Sequence, residues 1–123
     1  MLVLVAAAMG ALVLLFAAAD GRLTTLARDH SCDMARRGFF DHASPEGRTL
    51  GDRVRTAGIR FRAIGENIAR IESADPVKAA VSRWMKSPPH RDNIFTREFT
   101  HTGVGACRGG RAVYFTQVFL RAR

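Results

Sequence analysis

Lysine is almost missing from this chain: of 19 basic residues only Lys78 and Lys86 are lysine, the rest are arginine, and 11 acids leave a net charge of +8. The arginines are spread over the whole body with no basic run, which describes a solvated surface. No zinc-finger spacing and no basic-and-aromatic platform is present, so nucleic acid is not an expected partner. Cysteine is scarce as well. Cys32 and Cys107 match neither a C-x-x-C redox pair nor a metal-ligand spacing. No charge occurs before Asp20, and there is no internal repeat, low-complexity tract or linker. With 123 residues, 47% of them apolar, the chain has room for one modest core, which excludes a two-domain enzyme. The eight Phe and regular apolar spacing after residue 22 exclude a disordered chain.

Residues 1–19 are apolar apart from Gly10 and end in Ala17-Ala18-Ala19, the small residues a signal peptidase accepts. The sequence therefore divides into a leader, 1–19, and a body, 20–123. Cleavage before Asp20 is the simplest reading, although no Lys or Arg precedes Arg22. Two others stay open: an uncleaved membrane anchor, and an apolar helix that belongs to the domain. Cleavage or anchoring puts the body outside the cytoplasm. There an even pair of cysteines reads as one disulfide, worth roughly 4.5 kcal/mol in the chain-entropy estimate, and in the cytoplasm as two buried thiols. The net charge favours loose attachment to an anionic envelope polymer or lipid headgroups. The chain is read as a monomer.

Along the body, Leu23, Leu26, Ala27, Met34 and Ala35 fall near helical spacing, which predicts a helix over 22–37 stopped by Gly38. Residues 39–47 read as a loop carrying His42. Thr49 and Asp52 form a capping pair for a helix that Gly58 stops. Residues 59–64 alternate as a short strand, and Gly65-Glu66-Asn67 follows as a loop. Asp75-Pro76 opens a helix reaching Met85, and Ser87-Pro88-Pro89 breaks it, leaving His90 on a stiff turn. Residues 103–107 and 112–120 form a hairpin. Its second strand is apolar on both faces, as in the middle layer of a sandwich.

Of the four histidines, His30 in a helix and His101 at a strand start read as structural. His42 and His90, both beside rigidifying prolines, stand out with Glu66. Two imidazoles, a carboxylate and one open position form a set that zinc accepts, though no local spacing supports it. Glu66 reads equally well as a loop tie accepting backbone N–H bonds.

The segments Phe39-Phe40-Asp41-His42-Ala43-Ser44-Pro45-Glu46-Gly47, Gly65-Glu66-Asn67-Ile68-Ala69, Trp84 to Ile94, Gly103-Val104-Gly105 and Tyr114 to Phe119 together resemble the CAP superfamily (cysteine-rich secretory, antigen 5 and pathogenesis-related proteins). The resemblance is nearest to its short bacterial branch and runs from about residue 22 to 120. It implies an α+β fold, a three-layer α-β-α sandwich with a central antiparallel sheet, and a cleft lined by a His-Glu-Glu-His tetrad able to hold a divalent metal, zinc first. By position His42, Glu66 and His90 match three members, and the second glutamate falls on Ser87. The tetrad is thus incomplete. Ser87, Asn67 and Arg91 are expected to line the cleft. The leader takes the place of a helix that family members carry. The resemblance brings no single reaction. The leading expectation is a secreted binding domain whose cleft takes a metal and an unidentified ligand. The alternatives are a metal-assisted hydrolase with Glu66 as general base, and a surface domain whose cleft residues only pack.

Overall fold

Two helical layers sandwich one sheet in the computed structural model, which describes residues 2–6 and 12–123. In chain order the elements are β1 (Leu2–Ala6), β2 (Leu12–Ala19), α1 (Gly21–Arg37), α2 (Leu50–Thr56), β3 (Phe61–Ile71), α3 (Pro76–Lys86), α4 (Pro88–Phe95), β4 (His101–Gly109) and β5 (Ala112–Ala122). The sheet order is β1-β2-β4-β5-β3. Its heart, β4-β5-β3, is antiparallel, as expected. The sheet as a whole is mixed, because β2 joins β4 in parallel through Ala18 and Ala19.

The leader departs from the helical reading. Its described residues form two antiparallel strands. An apolar run without periodicity suits a buried strand as well as a helix, and here the sheet supplies partners: Ala18 N–H donates to Thr100 O at 2.8 Å and Asp20 N–H to Thr102 O at 2.9 Å. Met1 and residues 7–11 of the leader lie outside the described residues. No helix among the described residues is long and apolar enough to cross a membrane.

Helix α1 starts where the Asp20 carboxylate accepts the Arg22 N–H and ends at Gly38, φ 69°, whose N–H bonds Met34 O. Its buried face of Leu23, Ala27, His30 and Met34 rests on the sheet. That approach is close because β4 offers Gly103 and Gly105. A Cβ at either would lie 2.2 Å from the backbone N of Thr24 or Arg28. The Cys32–Cys107 disulfide, Cα–Cα 4.9 Å, ties the same two elements, and Ser31 Oγ meets Thr116 Oγ1 of β5 at 2.7 Å.

On the α1 and α2 side, Leu23, Ala27, Val54, Ile59, Val118 and Leu120 form one core. On the opposite side Ala69, Ile71, Ala80, Trp84, Ile94, Phe99, Phe115 and Phe119 form another. Strand β5 feeds both, which is why it is apolar on both faces. The reciprocal Thr49–Asp52 capping box opens α2. Trp84 Nε1–H donates to Ile68 O at 3.0 Å, fastening α3 to β3.

Two local expectations are corrected. Strand β3 runs on through Gly65, Glu66 and Asn67 to Ile71, so Glu66 lies mid-strand and not on a loop. Helices cover both faces here, so the polar-apolar alternation that marks a half-buried strand is lost. Pro88 and Pro89 end α3 and also open α4, because the first turn of a helix needs no backbone donor there. His90 therefore sits in the first turn of α4.

Candidate functional site

Because β3 is an edge strand, the two helical layers can meet beyond its free edge. Successive side chains of a strand point to opposite faces. Glu66 accordingly faces α2 and the 39–47 loop, and Asn67 faces α4.

Glu66 is buried, its side chain 2% exposed, and both carboxylate oxygens are occupied. Oε1 lies 2.8 Å from His42 Nδ1. Oε2 accepts from Arg53 Nη2 at 2.8 Å, and the same nitrogen donates to the His42 carbonyl at 3.0 Å. A buried carboxylate between a guanidinium and an imidazole is compensated on both sides. Its hydrogen bond to His42 lifts that imidazole above its ordinary pKa, against the opposing effect of partial burial. With Nδ1 directed at a carboxylate, Nε2 carries the lone pair of the neutral ring.

Across the strand, Asn67 is fully buried. Its Nδ2 donates to His90 O at 3.0 Å and to Gln117 Oε1 at 3.3 Å. Asn93 Nδ2 donates to Asn67 Oδ1 at 2.9 Å and to Glu66 O at 3.4 Å. Gly65 leaves the room this needs, since a Cβ there would meet Phe99 at 2.9 Å and Asn93 at 3.3 Å. These bonds lock the first turn of α4 against β3. His90 Nδ1 lies 2.8 Å from Ser87 Oγ, the side chain at the position of the missing second glutamate. Burial lowers the His90 pKa, and the charge of His42 lowers it further, so the two rings share one electrostatic neighbourhood.

The sequence-derived residues thus fall into distinct places. His42 with Glu66, and His90 with Ser87, form two hydrogen-bonded pairs, and the charge of His42 acts on His90. Asn67, expected to line the cleft, has no surface to offer a ligand and holds α4 in place. Arg91 is exposed, and its N–H bonds Ser87 O. His30 is structural, as read: its Nε2 meets Asp41 O at 2.8 Å, and since a carbonyl only accepts, that nitrogen carries the proton. Arg53 was missed. Its signal in the sequence is an arginine one position before Val54 on the buried side of a short amphipathic helix, which reads as surface in a chain so rich in arginine.

The donor chemistry fits a divalent cation held by two imidazole nitrogens, with Glu66 behind His42 as an outer carboxylate. It does not assemble the three-ligand set of His42, Glu66 and His90: among the described residues no group of three or more His, Cys, Asp or Glu is placed to hold a metal ion.

Comparison with known proteins agrees with this architecture. The profile of the CAP family, described as the cysteine-rich secretory protein family, matches residues 7–119. The YkwD protein of Bacillus subtilis is 38% identical over 101 residues, which is 82% of this chain and 38% of that protein. An extracellular protein with an SCP domain from Bacillus anthracis superposes with a TM-score of 0.74 at 37% identity, over 85% of this chain and 33% of that one. NaASP2, whose crystal structure was determined with Zn2+, superposes with a TM-score of 0.56 at 16% identity, over 84% of this chain and 58% of that one. The chain spans about a third of the length of the first two.

Proposed function

Since the chain belongs to the CAP family of cysteine-rich secretory proteins, we propose that it is an extracellular binding domain whose cleft takes a divalent metal, zinc first, on the Nε2 atoms of His42 and His90. The observation that carries this reading is the His42–Glu66 contact at 2.8 Å. A carboxylate behind Nδ1 fixes the ring, leaves Nε2 basic and supplies the negative charge a cation needs nearby. Ser87 stands where a second glutamate would add more charge, so the site is weaker than one with the full tetrad. A bound metal would act as a Lewis acid toward an oxygen-bearing ligand, and Glu66 with Arg53 would hold the His42 ring still beneath it.

Extracellular placement is supported by the disulfide and by the extracellular relative in Bacillus anthracis. Attraction to anionic envelope polymers is supported by the net charge of +8 and weakens at high salt.

Binding is favoured over hydrolysis by the state of Glu66. A general base needs a lone pair within reach of substrate or water. Here His42 and Arg53 occupy both oxygens and the side chain is buried. Metal analysis of protein isolated from its own host, with peptidase and esterase screens in added zinc, separates the two. Bound divalent metal with blank screens is expected; turnover lost in Glu66→Gln would reverse the preference.

A further inference from the structure

At the end of the sheet where the chain passes from α2 into β3 lies a groove of about 420 Å3, lined by Arg55, Gly58, Ile59, Arg60, Phe61 and Arg123. No acidic side chain among the described residues lines it. Building on the envelope attraction proposed above, we infer that a linear anionic polymer docks in this groove and along the arginines beside it.

Elsewhere on the surface several arginines are matched by acids: Arg22 by Asp20, Arg36 and Arg37 by Asp33, Arg37 again by Glu46, and Arg70 by Glu72. Around the groove the balance is lost. Asp52 serves two arginines at once, lying 3.8 Å from Arg55 while the charge of Arg48 reaches it too. Arg60 and Arg62 are exposed, and among the described residues neither has an acidic partner. Arg62 sits in the bulge between the Phe61–Ala122 and Ala63–Arg121 pairs, which sets it across from Arg121. Arg121 Nη1 donates to the Glu98 carbonyl at 3.4 Å, a contact that leaves its charge uncompensated. Even without Arg123, positive charge therefore exceeds negative here. Like charges on neighbouring strands repel, and a polyanion lying across them turns that repulsion into attraction.

Arg55 is already held in position. Its guanidinium carbon lies 5.4 Å from the centre of the Phe61 ring. Gly51 makes the room on its other side, since a Cβ there would lie 3.0 Å from Nη1. A guanidinium stacked on a ring keeps its N–H groups for a phosphate or carboxylate and loses little freedom on binding. Among the described residues the exposed large apolar side chains are Phe40, Val77, Phe95 and Val104, all outside the groove. With no apolar side chain there to insert into lipid, the surface suits a polymer better than a bilayer.

The test separates this surface from the effect of net charge alone. Full-length protein dialysed free of metal is titrated calorimetrically with long-chain polyphosphate and, separately, with poly-L-glutamate, each over a range of sodium chloride. Two variants remove the same charge at opposite ends of β5: Arg60→Gln with Arg62→Gln beside the groove, and Arg108→Gln with Arg111→Gln at the β4–β5 turn. All four positions are exposed, so neither variant disturbs the core. Wild type should bind at least one polymer; polyphosphate alone identifies a phosphate polymer and poly-L-glutamate alone a carboxylate one. The groove variant should bind severalfold more weakly, and its slope of log affinity against log salt should fall by roughly 0.7 for each arginine lost. The turn variant should stay close to wild type. Equal losses in the two variants would overturn the docking surface and leave the general attraction standing, whereas no binding by wild type would overturn both. Tighter binding to vesicles of equimolar phosphatidylglycerol and phosphatidylcholine than to either polymer would overturn the choice of partner.

Discussion

His42 presents Nδ1 to Glu66 Oε1 at 2.8 Å across two segments 24 residues apart. One hydrogen bond thereby sets the tautomer, orientation and basicity of a half-exposed imidazole. Glu66→Gln removes the charge and keeps the shape, so the His42 pKa should fall back toward 6.5. The sign follows from linkage. A raised pKa contributes stability that is complete below about 6.5 and is lost as pH rises through the folded value. NMR titration of the His42 ring checks it; an unchanged pKa in Glu66→Gln would detach the two residues.

Arg53 and Glu66 are a buried pair at 2.8 Å, their side chains 10% and 2% exposed. Arg53→Met leaves a buried carboxylate with only His42 to balance it and should cost about 3 kcal/mol in urea unfolding. Adding Glu66→Gln to that variant should recover part of the loss, because the two sites are coupled. Costs that simply add would show that the pair is not an energetic unit.

The contact of α1 with β4 depends on missing side chains. Gly105→Ala would place a Cβ 2.2 Å from Arg28 N, backbone that cannot move without shifting the helix. A loss of about 3 kcal/mol is expected by denaturant melting. Gly21→Ala, where nothing lies within 4 Å, serves as the control and should be close to neutral. Equal behaviour of the two would contradict the close approach.

His30 is 2% exposed, and burial, followed by Arg53, lowers its pKa. A lowered histidine pKa contributes stability that is present above about 6.5 and is lost as pH falls through the folded value. Asp20 and Asp52 are also held low, by Arg22 and by the Thr49 backbone N–H, so they keep their contributions until more acidic pH. The melting temperature should therefore fall as pH drops below about 6.5, and His30→Gln should flatten that slope. An identical slope in the variant would place its origin elsewhere, with His90 the next candidate.

Local chemistry made much of the fold legible in advance. Gly38, Thr49, Asp52 and Asp75 cap helices through bonds that sequence neighbours determine, and the two apolar faces of β5 announced a middle layer. Glu66 was harder to place. A strand covered on both sides loses the alternation that identifies it, so β3 read as a strand followed by a loop. Pro88 and Pro89 carry two meanings, breaker and helix start, and only the packing of α4 on β3 selects the second. The motif resemblance pointed to His42, Glu66 and His90, but their division into facing ring and backing carboxylate depends on Arg53. That residue is unremarkable in a chain with 17 arginines until its burial is seen.

The metal reading is tested most directly by calorimetric titration of metal-free protein with zinc, comparing wild type with His42→Ala, His90→Ala and Glu66→Gln. The expected result is one zinc per chain, binding lost in each alanine variant, and affinity weakened roughly 10–100-fold in Glu66→Gln, as suits an outer carboxylate. Zinc binding of equal strength in wild type and both alanine variants, or none in wild type, would contradict it.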